Sequence, residues 1–364
     1  MTESRSDRIV YALTKYGQRG ASSRVRFRIL SPILEARGWT IRHFPLLSDG
    51  LLARFYQTKS HSYSAIALSY LQFLRRVKTA RKPALWWVEK ELLPGLPVIA
   101  ELLLLPVLDR AVIDYDDAVF LDFSDEKLGV LGRAEKFRRY ARRAAHLTVG
   151  SEFVREQFHR WGAARVTKIP STVQVENYPL HAHGAAEVVT IGWIGTPMTM
   201  PFLEPMRDVL STLARRVRIR FCVVGARWEC PGVEVVSVPW TEASEAAVVA
   251  GFDLGIMPLV DGKWERGKCG YKLIQYMAAG VVPVGSRVGE NQAIIQEGQN
   301  GFLASTPDEW LAKLEALCRD PALRAEIGAA ARAKALAHYD VSCAAKAVHD
   351  IFAGIMAMRT RRLA

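Results

Sequence analysis

Three cations, Arg266, Lys268 and Lys272, crowd the start of a helix expected from about Gly270 to Ala279. A helix start is the end whose dipole disfavours positive charge. A bound anion resolves the conflict, because helix-start amides and fixed cations then act together on a phosphate. Lys268, Lys272 and Gln275 are spaced four then three, which would put them on one helix face, while Leu273, Tyr276 and Met277 supply the apolar side. The stretch opens with a buried-type strand, Phe252 to Leu259, and Gly280 is placed to cap the helix. A strand leading into a polar-faced helix start is how an open α/β sheet builds a ligand crevice. The plain alternative is a solvated basic turn on a structural helix.

Other loops offer less specific chemistry. Gly192, Gly195 and Thr196 lie between a strand and a helix, with Pro201 near the helix start, so backbone amides could approach a ligand closely. This is not a G-x-G-x-x-G fingerprint, and a dinucleotide site is not indicated. Gly20, Ser22, Ser23, Arg24 and Arg26 form a second strand-to-helix join, with either serine as N-cap and both arginines loading positive charge at a helix start. Asp114, Asp116 and Asp117 follow a strand and would repel unless solvated, paired, or used to hold sugar hydroxyls or a proton. Glu89 and Glu91 sit at another strand end with the same two readings. The eight histidines form no zinc-protease or deaminase pattern, and no nucleophile elbow or Walker A sequence occurs. Hydrolase, zinc-deaminase and NTPase classes lose most of their support.

The elements that must position these residues alternate strand and helix twice. Strands are expected at Arg8–Leu13, Thr40–Phe44, Ala84–Val88, Arg110–Ile113 and His146–Val149, with a helix from about Arg24 to Arg37. The second set of strands begins at Val188–Ile194 and continues at Ile219–Val224, Val233–Val238, Phe252–Met257 and Val282–Gly285. Helices fall near Phe202–Arg215, Glu242–Ala250 and Asp308–Arg319, and the chain is nearly all helical from Pro321. Ser171 to Ala186 lacks periodicity and is expected to be a linker. The reading is α/β, with two doubly wound domains facing each other across a cleft and C-terminal helices packing back. Its boundaries are 1–175, 186–340 and a final helix at 341–364.

Composition narrows the partners. Half of the 364 residues are hydrophobic, as in a globular protein, and no apolar run approaches the ~20 residues of a spanning helix. Residues 1–180 hold 29 Lys and Arg against 18 Asp and Glu, a net of +11, whereas residues 181–364 hold 20 against 19, a net of +1. The basic half is expected to face an anionic membrane surface or a phosphorylated lipid, through helices such as Ile66–Arg81 and Arg133–Arg143. No nucleic-acid signature is present. Five scattered cysteines and the absence of a secretory signal fit a cytoplasmic protein, peripheral on the inner face of the membrane.

Together DLGIMPL, GKCGYKLIQYMAAG, GEN and NGF, with GASSRVR and YDDAVF earlier, resemble the retaining glycosyltransferases of family 4. The resemblance spans nearly the whole chain and is strongest from Asp253 to Phe302. It implies the GT-B fold of two Rossmann-like domains, with the C-terminal domain holding a nucleotide-diphosphate sugar and the N-terminal domain presenting an acceptor. It further implies sugar transfer with retention of configuration, no metal and no cofactor, to a glycan or lipid-linked sugar in cell-surface polysaccharide or glycolipid synthesis. On this reading Lys268, Arg266, Asp116 and Asp117 are catalytic. Gly195, Thr196, Lys272, Gln275, Gly270 and Tyr271 bind the donor, and Gly20, Ser22, Ser23, Arg24 and Arg26 bind the acceptor. The chain departs from the family's E-x7-E pattern, with Gly267 and Gln275 at those positions. That departure leaves open a non-catalytic GT-B protein that binds a nucleotide sugar or glycan in support of a partner enzyme. An epimerase using Asp116, Asp117 and Glu290 is a third reading.

Overall fold

The computed structural model describes residues 8–18, 20–58, 63–79, 83–122, 132–185 and 187–363. They form two compact units, the first built from residues 1–170 with 341–364 and the second from 171–340.

The first unit carries a six-stranded parallel sheet of order β2-β1-β3-β4-β5-β6. Its strands are β1 (Ile9–Thr14), β2 (Thr40–Pro45), β3 (Leu85–Glu89), β4 (Ala111–Tyr115), β5 (His146–Val149) and β6 (Val166–Lys168). β1 reads IVYALT and is buried along its whole length, as a central parallel strand covered on both faces must be. The chain winds from β1 to β2 on one side, then crosses to β3 on the other. The switch point therefore lies between the ends of β1 and β3.

The helix expected at Arg24–Arg37 is broken. A short α1 (Ala21–Ser23) runs into a π-helical turn at Arg24–Arg28, and α2 (Ser31–Ala36) follows. Pro32 at the start of α2 lacks the N–H needed to continue a helix, and the Ser31 hydroxyl donates to Phe27 O at 2.8 Å. α3 (Asp49–Thr58), α4 (Tyr63–Thr79), α5 (Arg133–Arg143) and α6 (Glu152–Arg160) complete the crossovers.

The second sheet has the order β12-β11-β10-β7-β8-β9, also parallel throughout. It comprises β7 (Val189–Ile194), β8 (Ile219–Val224), β9 (Glu234–Val238), β10 (Leu254–Met257), β11 (Val282–Ser286) and β12 (Phe302–Ala304). Here the chain winds from β7 through β8 to β9, then returns to place β10 on the opposite side of β7, so the switch point falls between β7 and β10. Instead of one helix over Phe202–Arg215, a 3-10 segment at Met200–Met206 precedes α7 (Arg207–Ala214), because Pro205 interrupts the α pattern. α8 (Glu245–Val249), α9 (Lys263–Arg266), α10 (Tyr271–Ala278), α11 (Asn291–Ile294), α12 (Pro307–Arg319) and α13 (Pro321–Lys334) follow.

Two further segments differ from expectation. Residues 171–185 are not a loose linker: Val173, Val175 and Tyr178 are buried in the core of the second unit beside Tyr276 and Met277. Apolar residues at irregular spacing hid this packing. α14 (Val341–Leu363) includes Val341–Met358, whose mean hydropathy of 1.3 and length would allow it to cross a membrane. In the fold its apolar face is a core element of the first unit, with Phe352 edge-on to Trp39 and Trp87 at 5.2 and 5.6 Å.

Candidate functional site

The β7–β10 switch point of the second unit is built by glycines and one tyrosine. Gly192 and Gly255 are paired across β7 and β10. A Cβ on Gly192 would meet the Phe252 ring at 2.0 Å, and one on Gly255 the Tyr276 ring at 2.3 Å. Gly192 is therefore a packing residue rather than part of a ligand loop. The space left by Gly255 admits Tyr276, whose hydroxyl accepts from Ile194 N at 3.2 Å and donates to Ile256 O at 3.1 Å. One side chain thus ties the ends of both switch strands, and burial pushes its phenol pKa well above the usual range.

The loops leaving those ends are fixed in turn. Gly225, after β8, has φ +85°, and a Cβ there would lie 2.2 Å from Gly195 O, so the loops after β7 and β8 interlock backbone to backbone. Thr196 N donates to Thr199 Oγ1 at 3.1 Å, closing a turn after Gly195. That amide is committed within the protein, so only the Thr196 side chain is left to meet a ligand. Beyond β10, Leu259 N donates to Ser286 Oγ at 2.8 Å, and Asn291 Nδ2 donates to Ser286 O at 3.0 Å. Sequence reasoning passed over Ser286 and Asn291, whose signal was only the polar run that ends an apolar strand.

Lys268 and Lys272 converge on this crevice by different routes. α10 begins at Tyr271, after Gly270 with φ +67°, so Lys268 lies in the preceding turn and does not share a helix face with Lys272. Lys268 Nζ lies 5.7 Å from the ring centroids of both Phe202 and Trp264. Lys272 Nζ lies 5.2 Å from the Trp193 ring. Phe202 follows the post-β7 loop and Trp264 follows β10, so both strands of the switch point contribute to the cation site. No side chain caps the start of α10.

Two expected site residues, Arg266 and Gln275, are engaged within the protein. Arg266 forms a two-pronged, exposed ion pair with Asp261 at 2.6 and 2.8 Å, so its charge is already balanced. Gln275 is 2% exposed and its amide nitrogen donates to the Tyr178 hydroxyl at 3.3 Å, which removes it as a ribose ligand in this conformation. Tyr271 packs at the edge of the core. α10 ends as expected, with Gly280 at φ +70° donating to Met277 O and Val281 donating to Tyr276 O, both at 3.0 Å.

The β1–β3 switch point of the first unit gathers a second polar cluster. Lys90, directly after β3, has φ +63°, the one positive value at a non-glycine position among the described residues. Such strain concentrates at functional sites. The Lys90 ammonium lies 2.7 Å from Asp116 Oδ1 and 3.3 Å from Ser22 Oγ. Burial opposes its charge, but Asp116, Asp117 and Glu89 together outweigh that and raise its pKa. Burial likewise opposes ionisation of Asp116, and Lys90 reverses the balance, holding that carboxyl below its ordinary value. Glu89 goes the other way, because burial raises its pKa despite Lys90 and hydrogen bonds from Ser23 Oγ (2.6 Å) and Lys15 N (2.9 Å). Two neighbouring carboxyls with opposed shifts are the pattern of an acid–base site. The sequence reading missed Lys90, although a charged Glu-Lys-Glu triplet after an apolar strand was its signal.

Other members of that cluster are structural. Arg26 is 4% exposed; its Nε and Nη2 grip Asp114 at 2.9 and 2.7 Å, and its Nη1 donates to Ile169 O at 2.8 Å. Thr148 Oγ1 donates to Asp114 at 2.6 Å. Arg26 is therefore withdrawn as an acceptor ligand. Neither serine is the N-cap, which is Gly20 without a side-chain bond, and Ser23 is fully buried on Glu89. Arg24 is also largely buried. Ser22 and Asp116 stay at the crevice, with the partly buried Asp117 beside them in sequence. Glu91 is paired to the buried Lys136 at 2.7 Å, and Glu101 joins the same network.

Residues 204–350 match a protein family described as glycosyl transferase-like. No curated protein matches the chain. Among solved structures, sucrose-phosphate synthase from Thermosynechococcus elongatus aligns with a TM-score of 0.69 at 13% identity, covering 96% of this chain and 100% of its own. HepE from Anabaena, in complex with UDP and glucose, gives 0.67 at 15% identity, over 95% and 99% of the two chains. WaaG, a glycosyltransferase involved in lipopolysaccharide biosynthesis, gives 0.68 at 14%, over 95% and 100%. Identities this low establish architecture. With two six-stranded parallel sheets, each wound both ways from an inner strand, the chain has the GT-B fold of glycosyltransferases.

Proposed function

We propose that this protein is a glycosyltransferase that moves a sugar from a nucleotide-diphosphate sugar to an acceptor. The observation that carries the proposal is the convergence of Lys268 and Lys272 on the β7–β10 switch point. Open α/β sheets bind ligands at such a point, and a diphosphate is the anion those cations suit. The glycosyl transferase-like match over residues 204–350 supports the same reading, as do the UDP and UDP-glucose complexes of HepE. As the sugar's anomeric carbon–oxygen bond breaks, its electron pair moves to the diphosphate while the sugar becomes oxocarbenium-like. Lys268 and Lys272 stabilise that developing charge. Asp116, held ionised by Lys90, accepts a hydrogen bond from an acceptor hydroxyl. Retention of configuration and independence from metal rest on the resemblance to family 4.

Thermal stabilisation by a panel of nucleoside diphosphates tests the donor site. A specific nucleotide should raise the melting temperature of the wild type and leave Lys268→Ala unmoved. No response at concentrations well above ~1 mM would sink the proposal. Two observations favour the alternative of a non-catalytic nucleotide-sugar binder: Gly267 offers no carboxylate, and Gln275 is turned inward. Nucleotide binding without transfer to any of a set of glycan and lipid-linked acceptors would select it.

For the acceptor we propose a lipid-linked sugar, met at the inner face of the cytoplasmic membrane. α4 buries only Phe73, while Tyr63, Leu68, Leu71 and Leu74 are exposed with Arg75, Arg76 and Lys78 beside them. Arg81, expected at the end of this helix, lies outside the described residues. Apolar and basic side chains on one open helix suit an anionic bilayer. Sedimentation with phosphatidylglycerol vesicles should capture the wild type and weaken with salt, whereas Leu68→Ser/Leu71→Ser should stay in solution. Equal capture of both proteins would remove α4 from the contact.

A further inference from the structure

Within the second unit, Leu180–Gly184 lead toward β7 at the end of the sheet opposite to the ligand crevice. Both His181 ring nitrogens face obligate acceptors. Nδ1 lies 2.9 Å from Ala250 O, and Nε2 lies 3.3 Å from Asp253 Oδ1. A carbonyl and a carboxylate can only accept, so only the imidazolium, with a proton on each nitrogen, satisfies both. Asp253 is itself anchored at the start of β10, where its other oxygen accepts from Thr190 N at 2.9 Å. His183 is held differently. Its Nε2 donates to Gly280 O at 2.8 Å, and its buried Nδ1 has no hydrogen-bond partner among the described residues, which fits the neutral ring.

We propose that His181 is a proton-operated latch, in which the imidazolium ties Leu180–Gly184 to both Asp253 and Ala250 and loss of the Nε2 proton frees the segment from Asp253. The charged and titratable groups around it come from three further elements. Asp253 stands at the start of β10. Arg324 of α13, 1% exposed, donates to Leu317 O, Cys318 O and Gly184 O, and its Nε lies 3.6 Å from Asp253 Oδ1. Cys318, at the end of α12, stays a thiol because burial pushes its pKa up to about 12. The fourth group is His183 itself, whose ring centroid is 4.4 Å from that of His181.

Burial opposes the charge on His181, but hydrogen bonds to Asp253 and to Ala250 O, with the Asp253 charge, outweigh it and raise the pKa above 6.5. For His183, burial dominates and the pKa falls. A group whose pKa is raised by folding contributes its stability fully below its unfolded pKa, and loses it as pH rises through the folded value. One atom from each of His181, His183 and Asp253 lies within 4.8 Å of the others, a spacing that could also attract a metal ion. The Arg324 guanidinium beside Asp253 favours the singly charged proton over a dication.

Two measurements on the full chain decide this. Nitrogen-15 NMR of the histidine rings should find His181 protonated on both nitrogens at about pH 6, with a pKa above the ordinary value of about 6.5. Melting temperatures compared at about pH 6 and about pH 8 should fall further in the wild type than in His181→Gln. His183→Gln should keep the wild-type difference. A neutral His181 ring at the lower pH overturns the latch, as does the same pH dependence in wild type and His181→Gln. Stabilisation by Zn²⁺ at the higher pH that disappears in His183→Gln would also overturn it, by assigning the three side chains to a metal.

Discussion

Replacing Lys268 by alanine is expected to lower turnover by about 10²–10³-fold, with little change in melting temperature of the free protein. The first half of that expectation follows from position. Lys268 lies between Phe202 from the post-β7 segment and Trp264 from the post-β10 segment, so its ammonium is confined to the switch point, with no salt bridge to a described residue. A preorganised cation facing the charge that develops on a departing diphosphate is among the larger contributions available to catalysis. The second half follows from what Lys268 touches: two aromatic faces worth a fraction of a kcal/mol each at a partly exposed site. Arg266→Ala should cost much less, because Asp261 already balances that guanidinium in the open. Steady-state rates for the two variants check the ordering, and a Lys268→Ala enzyme within about threefold of wild type would take Lys268 out of the mechanism.

The largest stability effect is expected at Arg26. Substitution by methionine removes a guanidinium that bonds Asp114 through two nitrogens and Ile169 O through a third, all buried. Asp114 is left inside the protein with Thr148 as its remaining side-chain partner among the described residues. Breaking a buried pair from one side costs about 3–5 kcal/mol, because an uncompensated charge remains. Removing both charges, as in Arg26→Met with Asp114→Leu, should return part of that loss, since a buried pair exchanged for apolar groups is often close to neutral. Urea unfolding of the three proteins reads the effect directly. A single-variant loss under about 1 kcal/mol would mean that water reaches Asp114 and that the pair is not truly buried.

How much of this was visible in the sequence depended on whether the signal was local. Parallel strands buried on both faces are apolar runs, so Val282–Ser286 and Ile219–Val224 stood out, whereas the three-residue β6 and β12 did not. The Gly280 cap was legible because one residue type fits a left-handed position. Helix starts were read less well, because Ser22 and Ser23 have the right chemistry for a cap and a different use for it. The fate of Gln275 could not be read at all, since it is decided by Tyr178, 97 residues away in sequence. Likewise, spacing alone cannot distinguish Arg26 from Arg24; only the strand two crossovers later supplies Asp114. The strain at Lys90 leaves no trace in residue type, for the left-handed region is where glycine or asparagine would be expected.

α14 gives the first unit an unusual birth order. Phe352, Val348 and Ile355 belong to the same core as Val10, Leu34 and Trp87, so that core lacks a wall until residues 341–355 have been made. Residues 171–340, by contrast, are contiguous and hold every strand of their own sheet. During synthesis the usual N-terminal-first sequence of domain completion is inverted. The second unit can finish while the first still exposes the apolar surface that awaits α14. Nascent chains halted before Val341 would present that surface to chaperones, and α14 would cover β1 on emerging.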